Sequence, residues 1–164
     1  FAAAVCAYFW ERDAARRPVF VVVEPERAAC LLVSARAGHP VAVTGELDTL
    51  MAGLACGEVS LLAWEILAHG ADAFCSVPDA AAVALMRQLA RPLPGDPAIV
   101  AGESAVAGLA AAVGAMQDAD ARAALGLAAD SRLLFFGSEA DTDPALYAQL
   151  VGVSAVAVRA GAGA

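Results

Sequence analysis

A run of five apolar residues, Val19–Val23 (VFVVV), constrains the fold of this chain more than any other feature. The run is short, β-branched and unbroken by polar residues, so it predicts a strand that is buried on both faces, as in parallel sheets. Glu24 and Pro25 end the run. Two further apolar runs, 71–77 (ADAFCSV) and 132–136 (RLLFF), are predicted to be strands of the same sheet.

Helical segments alternate with these predicted strands. The predicted helices are 2–16, 26–37 with Gly38 as its C-cap, 61–69 with Ser60 as its N-cap, 79–90, 105–116, 120–127 and 143–151. This alternation predicts an α/β domain with a mainly parallel sheet and helices on both faces. In such sheets, ligands bind beyond the carboxyl ends of the strands. We expect residues 1–151 to form the folded region and residues 152–164 to be a small-residue tail, with at most a short, frayed strand.

Composition excludes several classes of function. The net charge of −8 argues against a basic surface for nucleic acid. No apolar run reaches the roughly 18–20 residues that a membrane-spanning helix needs. The chain begins at Phe1, in a run that has the character of mid-helix and lacks the basic segment of a signal peptide. We therefore expect the sequence to start inside a longer reading frame.

The sequence contains no lysine, and all ten of its Lys and Arg residues are arginines. No side chain of this chain can therefore form a lysine Schiff base. The four cysteines, Cys6, Cys30, Cys56 and Cys75, are widely spaced and show no metal-ligand pattern. We expect them to be buried free thiols of a cytoplasmic protein.

Three loop segments are candidates for a binding site. Residues 48–58 (DTLMAGLACGE) contain glycines that permit close approach of the backbone to a ligand, although a simple connection explains them equally. Residues 102–104 (GES) are predicted to open a helix whose free N–H groups attract anions; alternatively, Glu103 only complements the helix dipole. Residues 137–143 (GSEADTD) follow a predicted strand, where a hydroxyl can meet a ring nitrogen, or where Asp141 or Asp143 can cap the next helix. The residues alone predict only that the site lies on the loops at the strand ends.

Four segments carry a resemblance to a known family. VVVEPERAACLLVSARAG, DTLMAGLACGEVSLLAWEIL, GDPAIVAGESAVAGL and LLFFGSEADTDPALY occur in this order within residues 1–151. Together they resemble the diaminopropionate ammonia-lyase family, whose members are fold type II enzymes dependent on pyridoxal 5′-phosphate (PLP). MAGLACGE with AWEIL, and GES with SEADTD, are fairly specific to this family, whereas a strand that ends in EP is shared with serine and threonine dehydratases.

The resemblance implies a fold, a cofactor and a reaction. The fold would be the tryptophan synthase β-like architecture, with the cofactor held between two α/β domains. The reaction would be elimination of ammonia from 2,3-diaminopropionate to give pyruvate and a second ammonia, with PLP as the electron sink. In the family, the Schiff-base lysine, the acid/base carboxylates and the phosphate loop precede the segment that matches here. The resemblance therefore implies that no catalytic residue lies in this chain, and that the chain alone is inactive.

The resemblance also implies cofactor-binding positions. Ser138 matches the position whose hydroxyl meets the pyridine nitrogen, and a neutral partner leaves that nitrogen largely unprotonated. Gly53 and Leu54 match the loop beside the ring. Glu103 and Ser104 match the segment near the far edge of the ring.

Two departures from the family pattern bear on these assignments. Gly137 stands where the family usually has a serine, next to the proposed nitrogen partner Ser138. Related racemases bind a cation after the EP motif; Glu24 matches that site, but Cys30 stands where a carboxylate would be expected. We therefore predict no metal.

Partners and alternatives follow from the same resemblance. The implied partners are a small amino-acid substrate, the missing N-terminal part of the enzyme and a second subunit in a homodimer, with neither nucleic acid nor membrane. A serine/threonine dehydratase-like enzyme is an alternative within the class. A catalytically dead domain with a structural or interaction role is an alternative outside it.

Overall fold

The computed structural model of the protein describes residues 1–12 and 15–161. Within these residues the sheet has two parallel strands, β1 (Val21–Pro25) and β2 (Ala73–Val77). Val21 is paired with Ala73, and the register continues to Pro25 opposite Val77. The predicted strand at 19–23 is thus shifted by two residues, and Glu24 and Pro25 belong to the strand instead of ending it.

Helices account for most of the remaining regular structure. They are α1 (Ala2–Arg12), α2 (Cys30–Ala37), α3 (Leu61–Gly70), α4 (Asp79–Ala90), α5 (Ala107–Gln117), α6 (Ala119–Ala124), α7 (Pro144–Val151) and α8 (Ala155–Arg159). Short 3₁₀ turns occur at Glu26–Ala28 and Ala52–Leu54. The prediction of a helix over 2–16 is too long, because α1 ends at Arg12, residues 13 and 14 lie outside the described residues, and residues 15 and 16 form a turn.

Helices cover both faces of the sheet, as the sequence predicts. Val22 packs on the face that contacts α1 and α3, in a cluster with Cys6 and Leu67. Val23 and Val77 pack on the opposite face, in the larger core formed with α4, α5, α7 and α8. The alternation of neighbouring side chains between faces is the ordinary geometry of a strand.

Local capping agrees with the sequence in three places. Ser60 Oγ accepts a hydrogen bond from Ala63 N at the start of α3. Gly38 ends α2 with a φ of 75°, a conformation that favours glycine. Asp143 accepts hydrogen bonds from the backbone N–H groups of Ala145 and Leu146 and so caps α7.

Two predicted strands are wrong. Residues 132–136 form no strand, and all five are exposed. The tail forms a helix instead of a frayed strand, because α8 buries Ala155 and Val158 in the larger core beside Val151. A buried apolar stripe on a short helix is indistinguishable from a short strand when only small residues flank it.

The cysteine prediction holds only in part. Cys6 and Cys30 are buried free thiols, but Cys75 is half-buried and Cys56 is exposed. Among the residues that the structure describes, no helix is long and apolar enough to cross a bilayer.

Candidate functional site

The loop at 48–58 is fixed to the carboxyl end of β2. Asp79, the first residue of α4, accepts hydrogen bonds from Thr49 Oγ1 at 2.5 Å and from Leu50 N at 2.9 Å. Met51 is fully buried in the larger core. These anchors give the loop a defined position beyond the strand ends, where a sheet of this kind binds ligands.

Gly53 and Ser104 bring two of the predicted segments together. The backbone N–H of Gly53 donates to Ser104 Oγ at 3.1 Å. A Cβ atom on residue 53 would lie 3.0 Å from the same oxygen, so the approach is close enough to favour glycine. Leu54, the neighbour of Gly53, is half-buried against the larger core.

Ser104 also connects to the third segment through Glu139. The N–H of Ser104 donates to Glu139 Oε2 at 2.8 Å, and the N–H of Gly102 donates to the carbonyl oxygen of Glu139 at 3.1 Å. A Cβ atom on residue 102 would lie only 2.4 Å from the carbonyl oxygen of Ala140. The three segments therefore form one surface, which we call the loop wall (residues 52–54, 102–104 and 137–140).

The expected anion site at the start of α5 differs in detail. The helix begins at Ala107 and follows a turn at residues 103–106, so residues 102–104 lie before the helix. The Ser104 N–H already has an anionic partner from within the chain, the Glu139 carboxylate. Glu103 is half-buried, and burial, followed by the nearby charges of Glu139 and Asp143, raises its pKa above the ordinary value.

Ser138 lies at the end of the wall with its hydroxyl unengaged. Its side chain is exposed, and among the described residues no group hydrogen-bonds to it. The neighbouring aspartates have other partners: Asp143 caps α7, and Asp141 forms an ion pair with Arg159 of α8. A capping turn and a free serine hydroxyl therefore coexist in this loop.

A polar cleft of about 380 Å³ adjoins the same end of the sheet. The residues that line it come from the turns after both strands and from the anchored loop: Glu26, Arg27, Asp48, Leu50, Pro78 and Asp79. Arg27 and Asp48 are 3.4 Å apart across it, with both side chains largely exposed. The cleft offers polar groups beyond the carboxyl ends of β1 and β2.

Sequence reasoning missed Asp79 and Thr49 as anchors and Glu139 as the link within the wall. Asp79 is an ordinary first-turn acid by sequence, and its contact with Thr49 spans 30 positions. Glu139 lies inside the candidate segment 137–143, but no spacing rule connects it to Ser104. Long-range contacts of this kind leave no periodic signal.

The residues present fit part of a PLP site. A free, exposed hydroxyl at the end of the wall suits a ring nitrogen, whereas no lysine exists in the chain to bind the cofactor aldehyde. Among the described residues, no group of three or more His, Cys, Asp or Glu side chains is arranged to hold a metal ion. Glu24, at the position compared with a cation site, instead accepts the N–H groups of Leu31 and Leu32 at 2.9 and 2.8 Å.

Comparison with known proteins identifies relatives of this chain. Diaminopropionate ammonia-lyase of Salmonella typhimurium is 38% identical over 157 residues, which cover 92% of this chain and 39% of the relative. The Escherichia coli K12 enzyme of the same name is 41% identical over 134 residues, or 80% of this chain and 34% of the relative. The chain thus spans less than two-fifths of the length of these relatives.

Solved structures give the same result. The crystal structure of the E. coli diaminopropionate ammonia-lyase in complex with D-serine superposes with a TM-score of 0.81 at 33% identity, over 92% of this chain and 38% of that one. A threonine deaminase from Solanum lycopersicum, at 19% identity and a TM-score of 0.71, shares the fold. The fold type II architecture and the resemblance drawn from the sequence are confirmed. The model of the pyridoxal-phosphate dependent enzyme family matches residues 1–137, and the chain belongs to this family.

Proposed function

We propose that this chain is one part of a PLP-dependent lyase that eliminates ammonia from 2,3-diaminopropionate and yields pyruvate and a second ammonia. Two relatives named for that activity, at 38% and 41% identity, support the proposal. Because the chain spans 39% of the Salmonella relative, the activity would belong to a longer polypeptide that contains these residues.

The free hydroxyl of Ser138 is the observation that carries the proposal. When bound, PLP supplies an electron sink for cleavage at the substrate's α and β carbons. In our proposal, Ser138 Oγ hydrogen-bonds to the ring nitrogen. A neutral hydroxyl has no charge with which to hold a proton on that nitrogen, whereas a carboxylate at the same position would.

The remaining predicted residues would orient the ring. Gly53 and Leu54 would lie beside its face, with Gly53 fixed by its bond to Ser104. Glu103 and Ser104 would border its far edge. Glu139 and Ser104 hold the three loops together. The loop wall would therefore be ordered before the cofactor binds, which reduces the entropic cost of binding.

The chemistry on the opposite side of the ring would come from residues outside this chain. The absence of lysine supports a division in which the aldehyde-binding lysine and the acid/base carboxylates lie in the rest of the enzyme. We further propose that the complete enzyme is a cytoplasmic homodimer acting on a small amino acid, and that residues 1–164 alone are inactive.

The test is an assay of the longer polypeptide that carries this segment. We expect pyruvate release from 2,3-diaminopropionate at a higher kcat/KM than from serine or threonine. Faster turnover of serine or threonine would favour a dehydratase, and no turnover of any of the three would favour a domain without catalysis.

A second measurement tests the role of Ser138. Ser138→Ala should lower kcat/KM by about tenfold, the effect of losing a hydrogen bond worth about 1.4 kcal/mol. Ser131→Ala, in a neighbouring exposed turn, is the matched control and should leave the rate unchanged. Equal rates for Ser138→Ala and the unsubstituted enzyme would argue against the nitrogen contact.

A further inference from the structure

Glu24, the fourth residue of β1, is a buried acid that the proposed site does not use. It is 7% exposed, and its two carboxylate oxygens accept the N–H groups of Leu31 and Leu32 at 2.9 and 2.8 Å. These donors belong to the first turn of α2, whose N-cap residue, Ala29, has no side-chain acceptor. Glu24 therefore caps α2 from the preceding strand and fixes the start of the helix to the carboxyl end of β1.

The second half of α2 holds the segment that follows the helix. Ser34 is fully buried, and its hydroxyl donates to the carbonyl oxygen of Val41 at 3.3 Å and accepts the N–H of the same residue at 2.9 Å. Two residues further on, the N–H of Val43 donates to the carbonyl oxygen of Gly57 at 2.8 Å. Hydrogen bonds thus connect α2 to the end of the candidate loop 48–58.

The contact at Gly57 is close and leads into the loop wall. A Cβ atom on residue 57 would lie 2.8 Å from the carbonyl oxygen of Val43 and 2.9 Å from Leu47 Cδ1, so the two segments have little room to move apart or together. The N–H of Cys56 then donates to the carbonyl oxygen of Leu54 at 2.8 Å. A displacement of α2 would therefore be transmitted to Leu54 through a continuous set of contacts.

The loop is thus tied to both strands of the sheet. Its start is held by Asp79, which follows β2 and accepts hydrogen bonds from Thr49 and Leu50. Its end is held through α2 by Glu24, which is paired with Ser76 at the same end of the sheet. One acidic side chain at the carboxyl end of each strand therefore anchors one end of the loop.

We infer that Glu24 is a positioning residue for the cofactor, because its cap on α2 sets the position of the turn at 52–54 beside the PLP ring. The inference rests on the proposed function, which places Gly53 and Leu54 at that ring. Glu24 itself touches neither cofactor nor substrate in this role and acts only through α2. Loss of the cap would let the turn adopt several positions, so the ring would be bound less tightly and oriented less often for reaction.

The experiment uses the longer polypeptide that carries this segment. Glu24→Ala removes the acceptor for both N–H groups at the start of α2. Ser34→Ala leaves that cap in place but removes both hydrogen bonds to Val41. Glu65→Ala, at an exposed position of α3, is the matched control.

Hydrogen–deuterium exchange of the purified polypeptide follows the connection itself. Glu24→Ala should speed exchange of the Leu31 and Leu54 amides by about tenfold, the effect of losing a hydrogen bond of ordinary strength. Ser34→Ala should reproduce the effect at Leu54 and leave Leu31 unchanged. Because both variants interrupt one connection, the double variant should exchange at Leu54 no faster than the faster single variant.

Cofactor binding and kinetics test the step from the turn to the ring. We expect both variants to bind PLP about tenfold more weakly, measured by equilibrium dialysis. The kcat for 2,3-diaminopropionate should fall with little change in KM, because the misplaced ring affects the reaction step more than substrate binding. A general loss of stability would instead reduce the amount of folded enzyme and leave the PLP affinity of the folded fraction unchanged. Glu65→Ala should change none of these quantities.

The outcomes separate the connection from the reaction. Unchanged exchange at Leu54 in both variants, or faster exchange there with unchanged PLP affinity, would overturn the inference. If Glu24→Ala does not fold, Ser34→Ala decides by the same two measurements. Faster exchange and weaker PLP binding in a polypeptide that releases no pyruvate from 2,3-diaminopropionate would leave the inference standing and count against the proposed function. Pyruvate release with neither effect would do the reverse.

Discussion

The backbone N–H of Gly53 donates a 3.1 Å hydrogen bond to the side-chain oxygen of Ser104, which lies 51 positions further along the chain. The backbone N–H of the same serine donates a hydrogen bond to the Glu139 carboxylate. Ser104 therefore holds together three loops that the sequence places far apart, and its removal is the most direct test of the loop wall.

Ser104→Ala should loosen the loop at 52–54. The variant removes the acceptor for the Gly53 N–H but keeps the backbone donor to Glu139. We expect a loss of about 0.5–1.5 kcal/mol in the free energy of unfolding and faster exchange of the Gly53 amide. Ser131→Ala removes a similar bond, from Ala128 N, and should leave the Gly53 amide unaffected. Unchanged exchange at Gly53 in Ser104→Ala would contradict the contact.

Gly102→Ala should destabilise the chain. A Cβ atom there would lie 2.4 Å from the Ala140 carbonyl oxygen and 2.6 Å from Glu139 Cγ, so the loop at 139–140 would have to move. We expect a cost of about 1–3 kcal/mol, measured by urea denaturation. Gly114→Ala is the matched control in α5, where nothing lies within 4 Å, and it should stabilise the helix by up to about 1 kcal/mol. Equal midpoints for the two variants would show that the site at 102 is not crowded.

Asp72 should give the chain a pH-dependent contribution to stability. Hydrogen bonding to Arg17 lowers the pKa of Asp72 below its ordinary value of 3.8, and the carboxylate also accepts the N–H of Phe20. A lowered folded-state pKa gives a stabilisation that is present above pH 3.8 and is lost as the pH falls through the folded-state value. Asp72→Asn should therefore cost about 1 kcal/mol at pH 7, after screening by solvent, and progressively less below pH 3.8.

Asp48→Asn provides the comparison for that experiment. Its pair with Arg27 has side chains that are 79% and 65% exposed, so its removal should change stability little at any pH. A gap between Asp72→Asn and the unsubstituted chain that stays constant from pH 7 to pH 3 would rule out the ionic contribution.

The cysteines should differ in reactivity. Burial, assisted by the charge of Glu24, raises the pKa of Cys30 to about 11, so its thiolate is scarce at pH 8. Cys56 is exposed. In the reduced chain, a thiol reagent at pH 8 should label Cys56 first and Cys30 much more slowly. Cys56→Ser should abolish the fast phase, and a fast phase that persists in that variant would refute the assignment.

The chain alone should form no covalent side-chain adduct with PLP. It contains no lysine, so borohydride reduction in the presence of PLP should leave every side chain unmodified. Peptide mapping separates this result from modification of the N-terminal amine of Phe1. A reduced adduct mapped to a side chain would contradict the expectation.

Local rules predicted much of this fold. The capping residues Ser60, Gly38 and Asp143 act as expected, since each effect is confined to one helical turn. The segment 132–136 is predicted as a strand but does not form one. A strand needs a partner strand, and sequence patterns do not identify that partner. The sequence predicts the loop wall only as three separate segments. The hydrogen bond from Gly53 to Ser104 depends on tertiary packing, which local sequence patterns do not encode.

The last helix carries a practical consequence. Arg159 of α8 forms an ion pair with Asp141, three residues beyond Ser138, while Ala155 and Val158 of the same helix are buried in the larger core. Because residues 152–164 are mostly small, composition alone would suggest that they can be deleted. A version of the protein shortened at residue 151 would keep every helix predicted from sequence, yet would untether the loop that presents the serine hydroxyl.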